Sequence, residues 1–198
     1  MKKILLLPIF GILIFAMLPH NAYAMSYSLS STSCATLGGS WNSSTSTCTI
    51  VNLTIHPTDK LIVNSGTTLR IIGVVNNSGI INSTGTINNT GTFINSGTIT
   101  NSGIINNGDT LENTGTIIDS GTINNLTGTI TNSGGSINIS GILNNGSILN
   151  IKSFGTINIT GIITSYKINV FCGSTLADSV SVIGGQINYL SCTIETTP

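Results

Sequence analysis

From Val75 to Ile123 a large apolar residue falls on every sixth position, and the residues between are mostly threonine, asparagine, serine and glycine. Neither the 3.6-residue period of a helix nor the alternation of a lone strand gives this spacing; a short fixed repeat sustained this long is the mark of a solenoid. The units read GTINNT or GTFINS, opened by Gly73, Gly79, Gly85, Gly91, Gly97, Gly103, Gly115 and Gly121, with one beat missed at Gly108-Asp109. After a one-residue slip they resume at Gly128, Gly135, Gly141 and Gly146, then at Gly155 and Gly161. Counted from the glycine, the third position is Val75, Ile81, Ile87, Phe93, Ile99, Ile105, Leu111, Ile117, Ile123, Ile130, Ile137, Leu143, Ile148, Ile157 and Ile163, and no polar residue interrupts it.

Side chains alternate along a strand, so this third position is expected to point inward, between outward second and fourth positions. Threonine dominates the second position (Thr86, Thr92, Thr98, Thr110, Thr116, Thr122, Thr129, Thr156) and is a strand former that tolerates water. Asparagine recurs at the fifth position (Asn77, Asn89, Asn95, Asn101, Asn107, Asn113, Asn125, Asn132, Asn145, Asn150) and predicts amide ladders at corners. The fifth, sixth and following first positions read as turn chemistry, with glycine supplying left-handed φ. The predicted fold is therefore all-β, a single-stranded parallel β-helix (β-solenoid) of hexapeptide units. Three hexads per coil would make a triangular prism; longer, flatter coils fit the pattern equally well. Handedness stays open, because hexad prisms depart from the right-handed preference of parallel crossovers.

The flanks lose this pattern. Residues 1–24 carry Lys2 and Lys3, an apolar run from Ile4 to Leu18 and the small-residue sequence Ala22-Tyr23-Ala24, which predicts a signal peptide cleaved between Ala24 and Met25. The apolar run is short of the ~20 residues that span a bilayer. Residues 25–50 form an expected N-terminal cap holding Cys34, Cys48 and Trp41, and residues 51–72 a first, wider coil. Hexads fill 73–165, and 166–198 form an expected C-terminal cap with Cys172 and Cys192. Solenoid ends need such altered units to close them. An even cysteine count in an exported chain reads as disulfides. The local pairs Cys34–Cys48 and Cys172–Cys192 are favoured, because a solenoid holds its ends apart. Zinc is disfavoured: no CxxC spacing occurs, and the only histidine after the leader is His56.

Cleavage leaves Lys60, Arg70, Lys152 and Lys167 against Asp59, Asp109, Glu112, Asp119, Asp178 and Glu195, a net charge of −2. So few cations cannot track a phosphate backbone, which argues against nucleic acid as a partner. Abundant Ile, Val and Thr argue against a disordered linker.

The segment from Cys34 through Trp41 to Cys48, followed by LIVNSGTTL and GTINN-type hexads, resembles exported Asn/Thr/Gly-rich repeat proteins predicted in ammonia-oxidising archaea. The repeat alone is also similar to the passengers of bacterial filamentous adhesins, although a secretion or anchoring module of that kind is not seen. Both resemblances imply a secreted β-solenoid; neither supplies functional residues.

No catalytic, cofactor or metal residue is predicted. Left-handed hexad acyltransferases look similar in period, but their glycine follows the inward aliphatic residue, where this chain mostly has asparagine, and their catalytic histidine has no counterpart in the hexads. Polysaccharide lyases need clustered carboxylates beside a base. Asp109, Glu112 and Asp119 read instead as solvated surface, far from Lys152. Outward Thr columns raise ice binding as an alternative. On 18-residue coils Thr92, Thr110 and nearly Thr129 would align, but beside Ile94, Glu112 and Thr131. Aromatic platforms for sugars are scarce, since only Phe93 and Phe154 lie in the repeat. Nine sequons (Asn42, Asn52, Asn76, Asn82, Asn88, Asn125, Asn138, Asn145, Asn158) could carry glycans. The leading expectation is a non-enzymatic secreted or cell-surface structural or adhesive protein. Its partners would be surface or matrix components or itself, and its sparse charge leaves strand edges open to self-assembly.

Overall fold

The computed structural model describes residues 24–177 and 182–190. The leader up to Tyr23, the second half of the expected Cys172–Cys192 pair, Asp178 and Glu195 lie outside the described residues.

Each regular hexad gives a four-residue strand and a two-residue corner, as in Ile80–Ser83, Thr86–Asn89, Thr92–Asn95 and Thr98–Asn101. Three strands complete a coil and the fourth lands in parallel register on the first, so that Ile80 pairs with Thr98 and Ile81 with Ile99. The coil is thus a three-sided prism of 18 residues, the shorter of the two coil forms the repeat allowed. One face is an eight-stranded parallel sheet running from Ser26–Ser28 to Thr175–Leu176. The other two faces form one 13-stranded sheet. They are joined because Thr47–Ile55, Thr68–Asn77, Ile142–Lys152 and Ile162–Val170 turn a corner without a break. The boundaries read from composition at 50/51, 72/73 and 165/166 each fall inside one of these long strands, and coil stacking continues past Tyr166 to Gln186–Tyr189.

The third-position column is buried as expected, with one correction. Ile148 is 37% exposed and Leu149, at 1%, takes its place in the core. Gly146 stands one slot early in its unit, as Gly108 does, so Ser147 occupies the glycine's place and the register sets Ile148 on outward Thr129 and Leu149 on inward Ile130. Each buried aliphatic of the stack contributes roughly 1.5–3 kcal/mol.

The fifth position also points inward. Asn77, Asn89, Asn95, Asn101, Asn107, Asn113, Asn125, Asn132 and Asn145 are all buried. Strand alternation requires it, since positions three and five share a face. Asn150, one slot off in the shifted unit, faces outward and Ile151 is buried instead.

Glycine recurs for a reason other than turn conformation. The hexad glycines do not have positive φ; that conformation belongs to Gly38, Gly66, Gly134, Gly173, Gly184 and Gly185. A Cβ on Gly97 would instead overlap the carbonyl oxygen of Gly79 one coil below, and one on Gly121 that of Gly103. Glycine stacks on glycine where a Cβ would strike the backbone of the neighbouring coil, although Asp109 and Ser147 occupy the same slot in two units.

At the N-terminal end, the short helix Ser31–Thr36 is capped by Ser30, whose side chain and backbone exchange hydrogen bonds with Ser33. A hairpin pairs Ser40–Asn42 with Thr47–Thr49. The Cys34–Cys48 disulfide ties helix to hairpin. Gly39 packs where a Cβ would strike both sulfurs. Cys172 is also disulfide-bonded.

Candidate functional site

Burying asparagine demands partners, and stacking supplies them. On one inner column Asn77 Nδ2 donates to Asn95 Oδ1, Asn95 to Asn113 and Asn113 to Asn132, each at 2.7 Å. A second column runs Asn89, Asn107, Asn125, Asn145 and ends on the Ser165 hydroxyl. Most rungs donate their other amide proton to a nearby backbone carbonyl, as Asn95 does to Gly97 and Asn113 to Gly115. These are continuous amide ladders inside the prism, where the sequence suggested ladders at its corners.

The third column is short and ends abnormally. Asn101 Nδ2 donates to Asp119 Oδ1 at 2.6 Å, and Asp119 is fully buried. This corrects the reading of Asp119 as solvated surface: it fills an inward fifth position, whereas Asp109 and Glu112 are exposed as expected. Asp119 Oδ2 has no hydrogen-bond partner. Burial raises its carboxyl above the ordinary aspartate value, against the opposing pull of the Asn101 amide and the Gly121 N–H. The acidic trio is therefore split between surface and core. Among the described residues no group of three His, Cys, Asp or Glu could hold a metal.

The outward faces are long, regular and nearly uncharged. The first carries a hydroxyl column of Thr98, Thr116, Ser136, Thr156 and Thr175, flanked by Thr100, Ile118, Asn138 and Asn158. On the second face a surface amide ladder runs from Asn144 to Asn124 to Asn106 to Asn88 at 2.7–2.8 Å. The third aligns Thr92, Thr110 and Thr129 beside Ile94, Glu112 and Thr131, the alignment that an 18-residue coil implied. The sequons divide accordingly: Asn125 and Asn145 are locked in the inner ladder, Asn88 accepts in the outer one, and Asn42, Asn52 and Asn158 are exposed.

The N-terminal end is only partly closed. The hairpin covers Thr47–Thr49, whereas Ser26–Ser28 and Asn52–Ile55 pair on one side only among the described residues. A cavity of about 540 Å³ opens beside them, lined by Tyr27, Leu37, Asn52, Leu53, Thr54 and His56 among others. At its rim the Met25 backbone N lies 3.0 Å from Asp59 Oδ1, and the Met25 carbonyl accepts from Lys60 N. Nothing in sequence spacing announced these edges, because they depend on where the cap docks.

No protein-family model matches the chain. Searches of curated proteins and of solved structures likewise give no significant match. Among the described residues no helix is long and apolar enough to cross a membrane.

Proposed function

We propose that this chain is an exported, non-enzymatic structural or adhesive solenoid of the cell surface or extracellular matrix, which associates with surface or matrix components and with its own copies. The observation that carries this reading is the pair of half-paired strand edges, Ser26–Ser28 and Asn52–Ile55, at the end of a sparsely charged stack whose Asp59 and Lys60 lie beside the first of them. Such edges template further strands unless they are blunted by charge, proline or a covering element. Long uniform faces that repeat one coil many times suit a scaffold better than a site of chemistry.

Processing after Ala24 fits the same reading. It would turn the Met25 nitrogen into an ammonium group 3.0 Å from the Asp59 carboxylate, so the new terminus would be held by an ion pair at the point where the first strand begins. The test is sedimentation of residues 25–198 over a concentration series, alongside an Asn52→Lys/Thr54→Lys variant that charges an exposed edge. Association of the wild type that the variant loses supports the reading, and a monomer at every concentration rejects self-assembly.

Ice binding is a second reading, favoured by the five-residue hydroxyl column of the first face. Ile118, Asn138 and Asn158 in the adjacent column break its regularity. Unaltered growth of ice crystals in the protein's presence would dismiss it.

A further inference from the structure

One corner of the prism is unlike the others. Where the second face turns into the third, Leu126, Gly146 and Tyr166 succeed one another on adjacent coils. Gly146 sits directly on the Leu126 backbone, and Gly185 lies over the Ser165 and Tyr166 carbonyls. Leu126 is the extra residue in a lengthened corner and is 61% exposed; Tyr166 is 67% exposed. With glycine between them, the two side chains border a notch of about 400 Å³ whose walls include Asn144, Thr164 and Gly146. The site lies within the ordinary size range of small-ligand pockets.

The dimensions and chemistry select an occupant. The Leu126 and Tyr166 backbones are two coils apart, about 9–10 Å at the usual strand spacing, with the Leu126 Cδ2 lying against the Gly146 position between them. A flat ring in van der Waals contact on both sides needs roughly 7–8 Å. The polar wall is the end of the surface amide ladder. Asn144 donates to Asn124 at 2.8 Å, while its own Oδ1 accepts nothing among the described residues. A ladder polarises its terminal carbonyl, making it a better acceptor. Apolar surfaces on both sides, with a hydroxyl and an amide acceptor at the edge, match a sugar ring, whose C–H face is apolar and whose rim is hydroxyls. A purely apolar side chain would leave Asn144 and Thr164 covered without partners.

We propose that this notch is a saccharide subsite, taking one pyranose ring of a neutral polysaccharide between Leu126 and Tyr166, with Asn144 Oδ1 accepting from a ring hydroxyl. The inference rests on the adhesive reading and gives it a ligand class. Sequence had set sugar binding aside for want of aromatics in the repeat, but stacking continues through Tyr166.

The test is isothermal titration with cello-, chito-, manno- and xylo-tetraose on the wild type, Tyr166→Phe, Tyr166→Ala and Gly146→Leu. Gly146 is suited to the test because a Cβ there meets only ordinary contacts at 3.4–3.5 Å, so leucine can fill the notch without breaking the stack. Circular dichroism and melting would confirm that each variant folds. At least one sugar should bind with Kd of about 0.1–10 mM. Tyr166→Phe should retain binding, and both Tyr166→Ala and Gly146→Leu should weaken it at least about tenfold, ~1.4 kcal/mol. Binding that ignores both substitutions would overturn the subsite while leaving surface adhesion standing. Failure of all four sugars to bind the wild type would also overturn it, and sedimentation would judge self-assembly separately.

Discussion

Asp119→Asn should stabilise this protein. Asp119 ends the short inner ladder with Oδ1 satisfied by Asn101 and Oδ2 buried without a partner. In the neighbouring columns the atom in the Oδ2 position is an amide nitrogen donating to the carbonyl two residues on, at 3.2 Å for Asn95 and 3.1 Å for Asn113. An ionised Asp119 therefore turns an acceptor toward an acceptor, the Gly121 carbonyl, and asparagine would supply the missing donor. An orphaned buried polar group costs about 1–3 kcal/mol, so the substitution should gain about that much at neutral pH. The melting temperature should rise by roughly 2–4 °C per kcal/mol for a chain of this size. The sign with pH follows from the raised carboxyl, which means that the folded state holds the proton more tightly than the unfolded state. Its stabilising contribution is complete below the unfolded aspartate value of 3.8 and is lost as pH rises through the folded value. The advantage of Asp119→Asn should thus shrink in acid, where the neutral acid can itself donate to Gly121, and grow toward neutrality. Urea unfolding of both proteins at several pH values measures this directly. A variant less stable than wild type at neutral pH, or a difference independent of pH, would refute the reasoning.

Other perturbations probe the rest of the stack. Ile117→Asp puts a charge in a fully buried column and should cost more than about 4 kcal/mol, abolishing cooperative unfolding in circular dichroism. Gly103→Ala drives a Cβ into the Gly85 carbonyl and should cost about 1–3 kcal/mol in chemical denaturation; the gain of about 0.4–1 kcal/mol usual for Gly→Ala at an unstrained site would contradict the corner packing. Replacing Cys34 and Cys48 together by serine opens a loop with a sequence separation of 14 and should lower stability by about 3 kcal/mol, read from thermal unfolding, while the hexad coils keep their circular dichroism spectrum.

The prism was legible because one residue in six must be apolar, and fourteen of the fifteen expected core positions are buried. Ile148 misled because its unit was counted from Gly146, which stands one slot early; the apolar pair Leu149 and Ile151 marked the true frame. The fifth-position asparagines look like corner residues by composition, yet their parity with the isoleucines turns them inward, and the same parity buries Asp119. The glycines read as turn residues because crowding between coils is a tertiary contact with no local signature. The half-open N-terminal end and the Leu126–Tyr166 notch were illegible for a similar reason: both arise from docking and stacking, at positions that look unremarkable in a string of letters.

The most direct test of the proposed role is electron microscopy of residues 25–198, with disulfides intact, across a concentration series. Filaments as narrow as a single prism, lengthening with concentration and absent from the Asn52→Lys/Thr54→Lys variant, are the predicted result. Uniform short rods at every concentration, the same for both proteins, would contradict assembly through the open strand edges.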